Sequence, residues 1–337
     1  MGAQVTRSAL ALRLGATVMA AVLGMTGGAH AQSGPETRVL VVSGAPGSDE
    51  YTERQQAWRE ALVSHLTGRL AVPASRVTVL VERDGAGFPV ATADNVRAAL
   101  QGAVETLTEA DTFFVVLFGH GTFDGVAAKF NLVGPDLDAD EWRTLLRGLR
   151  ARLVFVQTAS ASFPFLKTLA APGRVVITAT ASAGQKYDTV FADHFVTAFA
   201  PDTADADLDK DGRISVWEAF AYASAQTARY YEQRGQLPVE KALLDDTGSG
   251  TGRDLLTQGQ DGLLASRTFL DPDPLIGGTS DPSVTLLIGR RNTLEGELDE
   301  LKRKKGFMPA DDYARELERL VIDIARTSRE IRLRTKS

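Results

Sequence analysis

Phe113-Phe114-Val115-Val116-Leu117-Phe118 runs without a polar residue into Gly119-His120-Gly121-Thr122. Further along, Leu153-Val154-Phe155-Val156-Gln157 runs in the same manner into Thr158-Ala159-Ser160-Ala161-Ser162. Apolar runs this short and this continuous suit strands covered on both faces, the signature of a parallel sheet. In such sheets chemistry gathers beyond the carboxyl ends of the strands, where both polar clusters fall. His120 and Ser160 are therefore the first candidate site residues.

Working outward, Arg38 to Ser43, Arg76 to Val81 and Arg174 to Thr180 read as three more strands. Between them, Tyr51 to Leu70 carries Trp58, Leu62, Leu66 and Leu70 at helical spacing. Val96, Leu100, Val104 and Leu107 do the same behind the N-cap candidates Thr92 to Asn95. Further helices are expected over Asp138 to Arg150, Thr189 to Ala200 and Ser215 to Arg234. Strands alternating with helices predict an α/β fold, a three-layer sandwich around a mostly parallel sheet, over residues 37–245.

Residues 246–283 change character and are rich in Gly, Asp, Ser, Thr and Pro. That composition reads as a linker with little packed core. Beyond it, Leu294, Leu298 and Leu301 form one stripe, and Tyr313, Leu317, Leu320, Ile324, Ser328 and Ile331 a second. Gly306 and Pro309 separate the stripes, which predicts an antiparallel α-helical hairpin over 284–337. Its first role is self-packing, with self-association or partner binding as the alternative.

The N-terminal 31 residues read as an export signal. Arg7 and Arg13 precede the apolar run Leu14 to Met25, and Ala29-His30-Ala31 is a small-x-small cleavage site. Cleavage after Ala31 would leave a secreted or periplasmic protein with no membrane span. The chain of 337 residues contains no cysteine, so disulfides, thiolate metal sites and a thiol nucleophile are excluded. A net charge of −6 gives no reason to expect a nucleic-acid partner.

The most specific motif is Asp207-Leu208-Asp209-Lys210-Asp211-Gly212-Arg213-Ile214-Ser215-Val216-Trp217-Glu218. It follows the EF-hand loop position by position. Asp207, Asp209 and Asp211 stand at the first ligand positions, and Gly212 at the sharp turn. Arg213 offers a backbone carbonyl, Ser215 a water-bridged contact and Glu218 a bidentate carboxylate. Hard oxygen donors at this spacing select Ca²⁺. The plainer alternative is an acidic, solvated cap for the helix that follows.

Read as residue types, His120 could act as a base, Ser160 or Ser162 as a nucleophile, and the Gly121 backbone as an oxyanion donor. No Gly-x-Ser-x-Gly elbow is present, and His65 and His194 make no zinc pattern. An apolar strand ending in His-Gly, followed by a strand ending in Ala-Ser160-Ala-Ser162, resembles the legumain-type cysteine peptidases of the caspase-haemoglobinase fold. The Thr178-Ala179-Thr180 end of the fifth strand resembles that family as well. The resemblance implies that His120 matches the catalytic histidine, Gly121 an oxyanion donor and Ser160 the nucleophilic cysteine. A serine hydroxyl is far less acidic than a thiol and needs an oriented base. Thr158 also replaces an acidic residue of the family pattern. Three outcomes remain open: an inactive peptidase homologue that binds protein or peptide ligands, a serine-type hydrolase using His120 and Ser160, or a module in which His120 has no inherited role.

Overall fold

The computed structural model describes residues 35–83, 87–210, 212–257, 259–272 and 282–335. The N-terminal residues read as an export signal and Asp211 lie outside the described residues.

Five parallel strands form the centre of the molecule. They are β1 (Thr37–Ser43), β2 (Val77–Leu80), β3 (Thr112–Phe118), then β7 (Arg152–Gln157) and β8 (Arg174–Thr178). Between β3 and β7 lie three short strands, β4 (Gly121–Phe123), β5 (Ala128–Phe130) and β6 (Leu137–Asp138), which form their own antiparallel sheet. The main sheet runs β2-β1-β3-β7-β8 and is closed by β9 (Leu243–Asp245), antiparallel to β8. Because β2 and β3 lie on opposite sides of β1, the chain reverses its winding there. The carboxyl ends of β1 and β3 thus flank a topological switch point.

Alternation along each strand supplies both faces of the sheet. Val39 and Val41 of β1, with Phe114, Val116 and Phe118 of β3, enter one core. That core is covered by α1 (Asp49–Thr67), α5 (Phe191–Thr197) and α6 (Val216–Gln233). Leu40, Val42, Val115 and Leu117 enter the other, under α2 (Ala93–Thr106), α3 (Ala139–Leu145) and α4 (Phe163–Leu169). The result is the expected three-layer α/β sandwich. The helix starts are fixed locally, with Ser48 and Thr92 capping α1 and α2 and full capping boxes at Asp138/Glu141 and Ser215/Glu218.

One reading changes, and one element is new. The stretch after His120 holds the β4–β6 sheet, whose strands are too short to stand out in the sequence. Residues 246–272 are not a linker with little core. Ala265 and Leu270 are fully buried in the α6-side core, and Asp246, Asp254 and Asp261 are buried with them. The carboxylates do the organising. Asp245 accepts from the Gly248 and Gly250 N–H groups, Asp246 from Gly262 and Ala265, and Asp254 from Leu256 and Thr257. Side-chain acceptors replace a sheet ladder here, so a polar composition conceals a folded strap.

The tail forms two helices, α7 (Pro282–Lys304) and α8 (Ala310–Thr335). Leu294, Leu301 and Leu320 are buried between them, with Leu298, Tyr313, Leu317 and Ile324 alongside. Val284 near the start of α7 meets Ile331 near the end of α8, which makes the pair antiparallel. No helix among the described residues is long and apolar enough to cross a membrane.

Candidate functional site

The strand ends bring His120 and Ser160 into one neighbourhood. Gly121 follows His120 into β4, and its carbonyl accepts the Ser160 hydroxyl at 3.0 Å. A Cβ on Gly121 would stand 2.2 Å from the Ser160 carbonyl oxygen, so only glycine permits this approach. The expected Gly121 role was N–H donation, whereas its carbonyl is the group that meets Ser160. Thr158, one residue past β7, donates its hydroxyl to the Leu117 carbonyl at 2.7 Å. Ser162 is spent on Thr180: its hydroxyl lies 3.0 Å from Thr180 Oγ1 and accepts from the Thr180 N–H. Ser160 is itself only 5% exposed.

His120 is held from two other sides. Nε2 lies 2.8 Å from the Pro46 carbonyl, which can only accept, so Nε2 carries a proton. Nδ1 lies 3.3 Å from Asp188 Oδ1. Asp188 also accepts from the Tyr51 hydroxyl, and the Tyr51 ring stands edge-on to the imidazole at 4.6 Å. Burial and the neighbouring Glu50 charge push the Asp188 carboxyl above its usual range. Among the hydrogen bonds of the described residues, none joins His120 to Ser160.

Sequence reading found His120 and Ser160 and missed Asp188, Tyr51 and the Pro46 carbonyl. Asp188 sits in the loop that leaves β8. Its only visible signal was its place after a fifth parallel strand. Beside it opens a groove of about 600 Å³, lined by Glu50, Arg54, Trp58, Asp188, His194 and Tyr231 among others. Arg54 lies over the faces of Tyr51 and Trp58, at 5.5 and 5.1 Å from the ring centres. His65 and His194 sit on α1 and α5, and burial lowers both imidazoles.

The acidic loop leads into α6. Lys210 and Gly212 take left-handed backbone angles, with φ of 62° and 86°, and turn the chain tightly. Carboxylate oxygens of Asp207, Asp209 and Glu218 lie within 4.8 Å of one another. Glu218 is buried: Oε1 accepts from the Leu208 and Asp209 N–H groups, and Oε2 from the Ser215 N–H and hydroxyl. Asp207 Oδ2 accepts from the Gly212 N–H, while Asp207 Oδ1 is buried with no hydrogen-bond partner among the described residues. A buried carboxylate oxygen costs free energy unless something satisfies it. An all-oxygen donor set with one oxygen left over fits a hard cation. The Arg213 side chain points away, paired with Asp271 at 2.7 Å and stacked on Phe269. Ser215 bridges to Phe269, so the strap of residues 246–272 braces the loop exit.

No family model matches the chain, and no curated protein matches its sequence. Among solved structures, the chain is similar to a protein from Geobacter sulfurreducens with a TM-score of 0.42 and 14% identity, over 63% of this chain and 93% of that one. It is also similar to the Drosophila initiator caspase Dronc, with a TM-score of 0.42 and 13% identity, over 69% and 84% of the two chains. At these values neither likeness carries an argument about chemistry. The α/β architecture rests on the strand order and layers described above.

Proposed function

We propose that this chain is an exported peptidase homologue of the caspase and legumain type that binds a protein or peptide segment at its strand-end cleft without cleaving it. The observation that carries this reading is the direction of the Ser160 hydroxyl. It donates into the Gly121 carbonyl, while both His120 nitrogens are engaged by Pro46 and Asp188. A nucleophile needs its proton taken by a base, and a backbone carbonyl cannot take it. The groove beside Asp188 supplies aromatic and charged surface for a bound segment.

In this proposal Ca²⁺ belongs to the loop at the start of α6. Asp207, Asp209 and Glu218 would hold it, with Asp211, the Arg213 carbonyl and Ser215 in the remaining sequence positions. The ion supplies fixed positive charge that stiffens the loop. The helical hairpin leaves Leu286, Val321 and Leu333 exposed and serves as a face for self-association.

One observation favours the serine-hydrolase reading instead. Asp188 stands where a carboxylate would orient a catalytic imidazole. The deciding experiment is treatment of the full chain, with Ca²⁺ present, with a fluorophosphonate probe and a mixed peptide library. No adduct on Ser160 and no cleavage are expected. A Ser160 adduct that disappears in His120→Ala would overturn the binding-only reading.

A further inference from the structure

Glu240 is a buried carboxylate with no part in the site described so far. It is 2% exposed and lies between α6 and β9. Its Oε1 accepts from the Val190 N–H at 2.7 Å and the Tyr231 hydroxyl at 3.0 Å, and its Oε2 from the Phe191 N–H at 3.2 Å. Val190 and Phe191 directly follow the stretch that carries Asp188. Thr189, between Asp188 and Val190, donates to the Thr158 carbonyl at 2.5 Å. The segment that presents Asp188 to His120 is therefore pinned twice, once to the end of β7 and once to Glu240.

We propose that Glu240 is a positioning residue for the cleft, which holds Asp188 against His120 when ionised and loosens residues 188–191 when protonated. The chemistry of its shell makes protonation matter. Its three partners in the structure are donors to it: two backbone N–H groups and one hydroxyl. A proton on Oε2 would face the Phe191 N–H, which cannot accept, and a proton on Oε1 would face the Val190 N–H and oblige the Tyr231 hydroxyl to turn from donor to acceptor. Hydrogen bonds to an ionised group are also roughly twice as strong as neutral ones.

Burial, the largest influence, pushes the Glu240 carboxyl up to about 7, so the change falls near neutral pH. The charged and titratable groups around it are few. From α1, Arg54 favours the ionised form, and from α6, Tyr231 does so by donating its hydroxyl. In turn, burial and Glu240 raise the Tyr231 phenol, with Tyr230 and Asp188 adding to the effect. Lys241, next in sequence, turns away to pair with Asp254.

This inference concerns the cleft proposed above, but its test requires no ligand. Hydrogen exchange of the Val190 and Phe191 amides is followed in the full chain across neutral pH, with intrinsic exchange rates divided out. Protection is expected to fall by about tenfold from the alkaline to the acidic side, given the weaker hydrogen bonds to a neutral acid. Glu240→Gln, which cannot ionise, should flatten the profile. Tyr231→Phe removes a donor to the carboxylate and should move the midpoint to higher pH. A flat wild-type profile, an unchanged profile in Glu240→Gln, or an unmoved midpoint in Tyr231→Phe would each overturn the proposal. Should Glu240→Gln fail to fold, the Tyr231→Phe midpoint decides alone. A Ser160 adduct in the earlier experiment would overturn the binding-only reading and leave this one standing.

Discussion

The sharpest quantitative prediction concerns calcium and Asp207. Sensor-type EF-hands bind Ca²⁺ with dissociation constants of roughly 10⁻⁷–10⁻⁵ M. Here the Glu218 oxygens already accept four hydrogen bonds, two of them from the Leu208 and Asp209 N–H groups on Oε1. Turning Glu218 onto an ion releases at least those two. Hydrogen bonds to a charged group are worth about 1.5 kcal/mol each, so the release costs about 3 kcal/mol. With about 1.4 kcal/mol per tenfold, affinity drops roughly a hundredfold, to about 10⁻⁵–10⁻³ M. That range reaches the values of extracellular modules.

The cleanest perturbation is Asp207→Asn. Its remaining oxygen can still accept from the Gly212 N–H, while the amide replaces the buried oxygen that has no partner among the described residues. Without calcium, stability should therefore hold to within about 0.5 kcal/mol. With calcium, a charged ligand is gone, and calorimetric titration should show at least about tenfold weaker binding. Identical titration curves for wild type and Asp207→Asn would remove the loop as the site. So would a wild-type chain, freed of metal by chelation, that releases no heat at millimolar Ca²⁺.

Two further predictions concern the scaffold. Arg59 and Glu82 form an ion pair at 2.6 Å with side chains 5% and 3% exposed. Arg59→Met leaves a buried, unpaired carboxylate and should cost about 3–5 kcal/mol in chemical denaturation. Arg59→Met combined with Glu82→Leu should regain most of that loss; a double variant as unstable as the single one would show that the pair is not what Arg59 supports. Gly121→Ala sets a methyl 2.2 Å from the Ser160 carbonyl oxygen and should cost about 3 kcal/mol, while Gly102→Ala in α2, where nothing lies within 4 Å, should gain roughly 0.5–1 kcal/mol. Melting the two glycine variants side by side checks this opposition of sign.

The centre of the sheet was legible because β1, β3, β7 and β8 are buried on both faces and, past their first one or two residues, stay apolar until they end. That rule placed β1, β3, β7 and β8 within a residue or two and put His120 and Ser160 at one edge. It could not reveal Pro46, which contributes a backbone carbonyl, an atom every residue owns. Nor could it reveal Asp188 or Glu240, whose roles depend on loops that meet only after the sheet has formed. The strap was misread for a different reason. Composition treats aspartate as a group seeking water, whereas Asp245, Asp246, Asp254 and Asp261 each gather backbone N–H groups and stand in for a ladder. Polar residues with short side chains can organise a fold as firmly as apolar ones, and no periodicity records it.

The same distinction bears on Ser160. A hydroxyl is a good donor and a thiol a weak one. At this position the hydroxyl donates to the Gly121 carbonyl, and two residues earlier Thr158 ties β7 to β3 through the Leu117 carbonyl. Together the two hydroxyls fasten the ends of adjacent strands at the edge where a reacting group would have to move freely. A side chain fixed as a tie is a poor nucleophile, because attack requires it to give up its acceptor and find a base. The neighbouring His120 is likewise braced, by Pro46 on one side and by Asp188 on the other. Such bracing suits a surface that must keep one shape for a partner. The proposed binding role rests on this bracing: the hydroxyl at position 160 is committed to the Gly121 carbonyl even with an imidazole and a carboxylate close by.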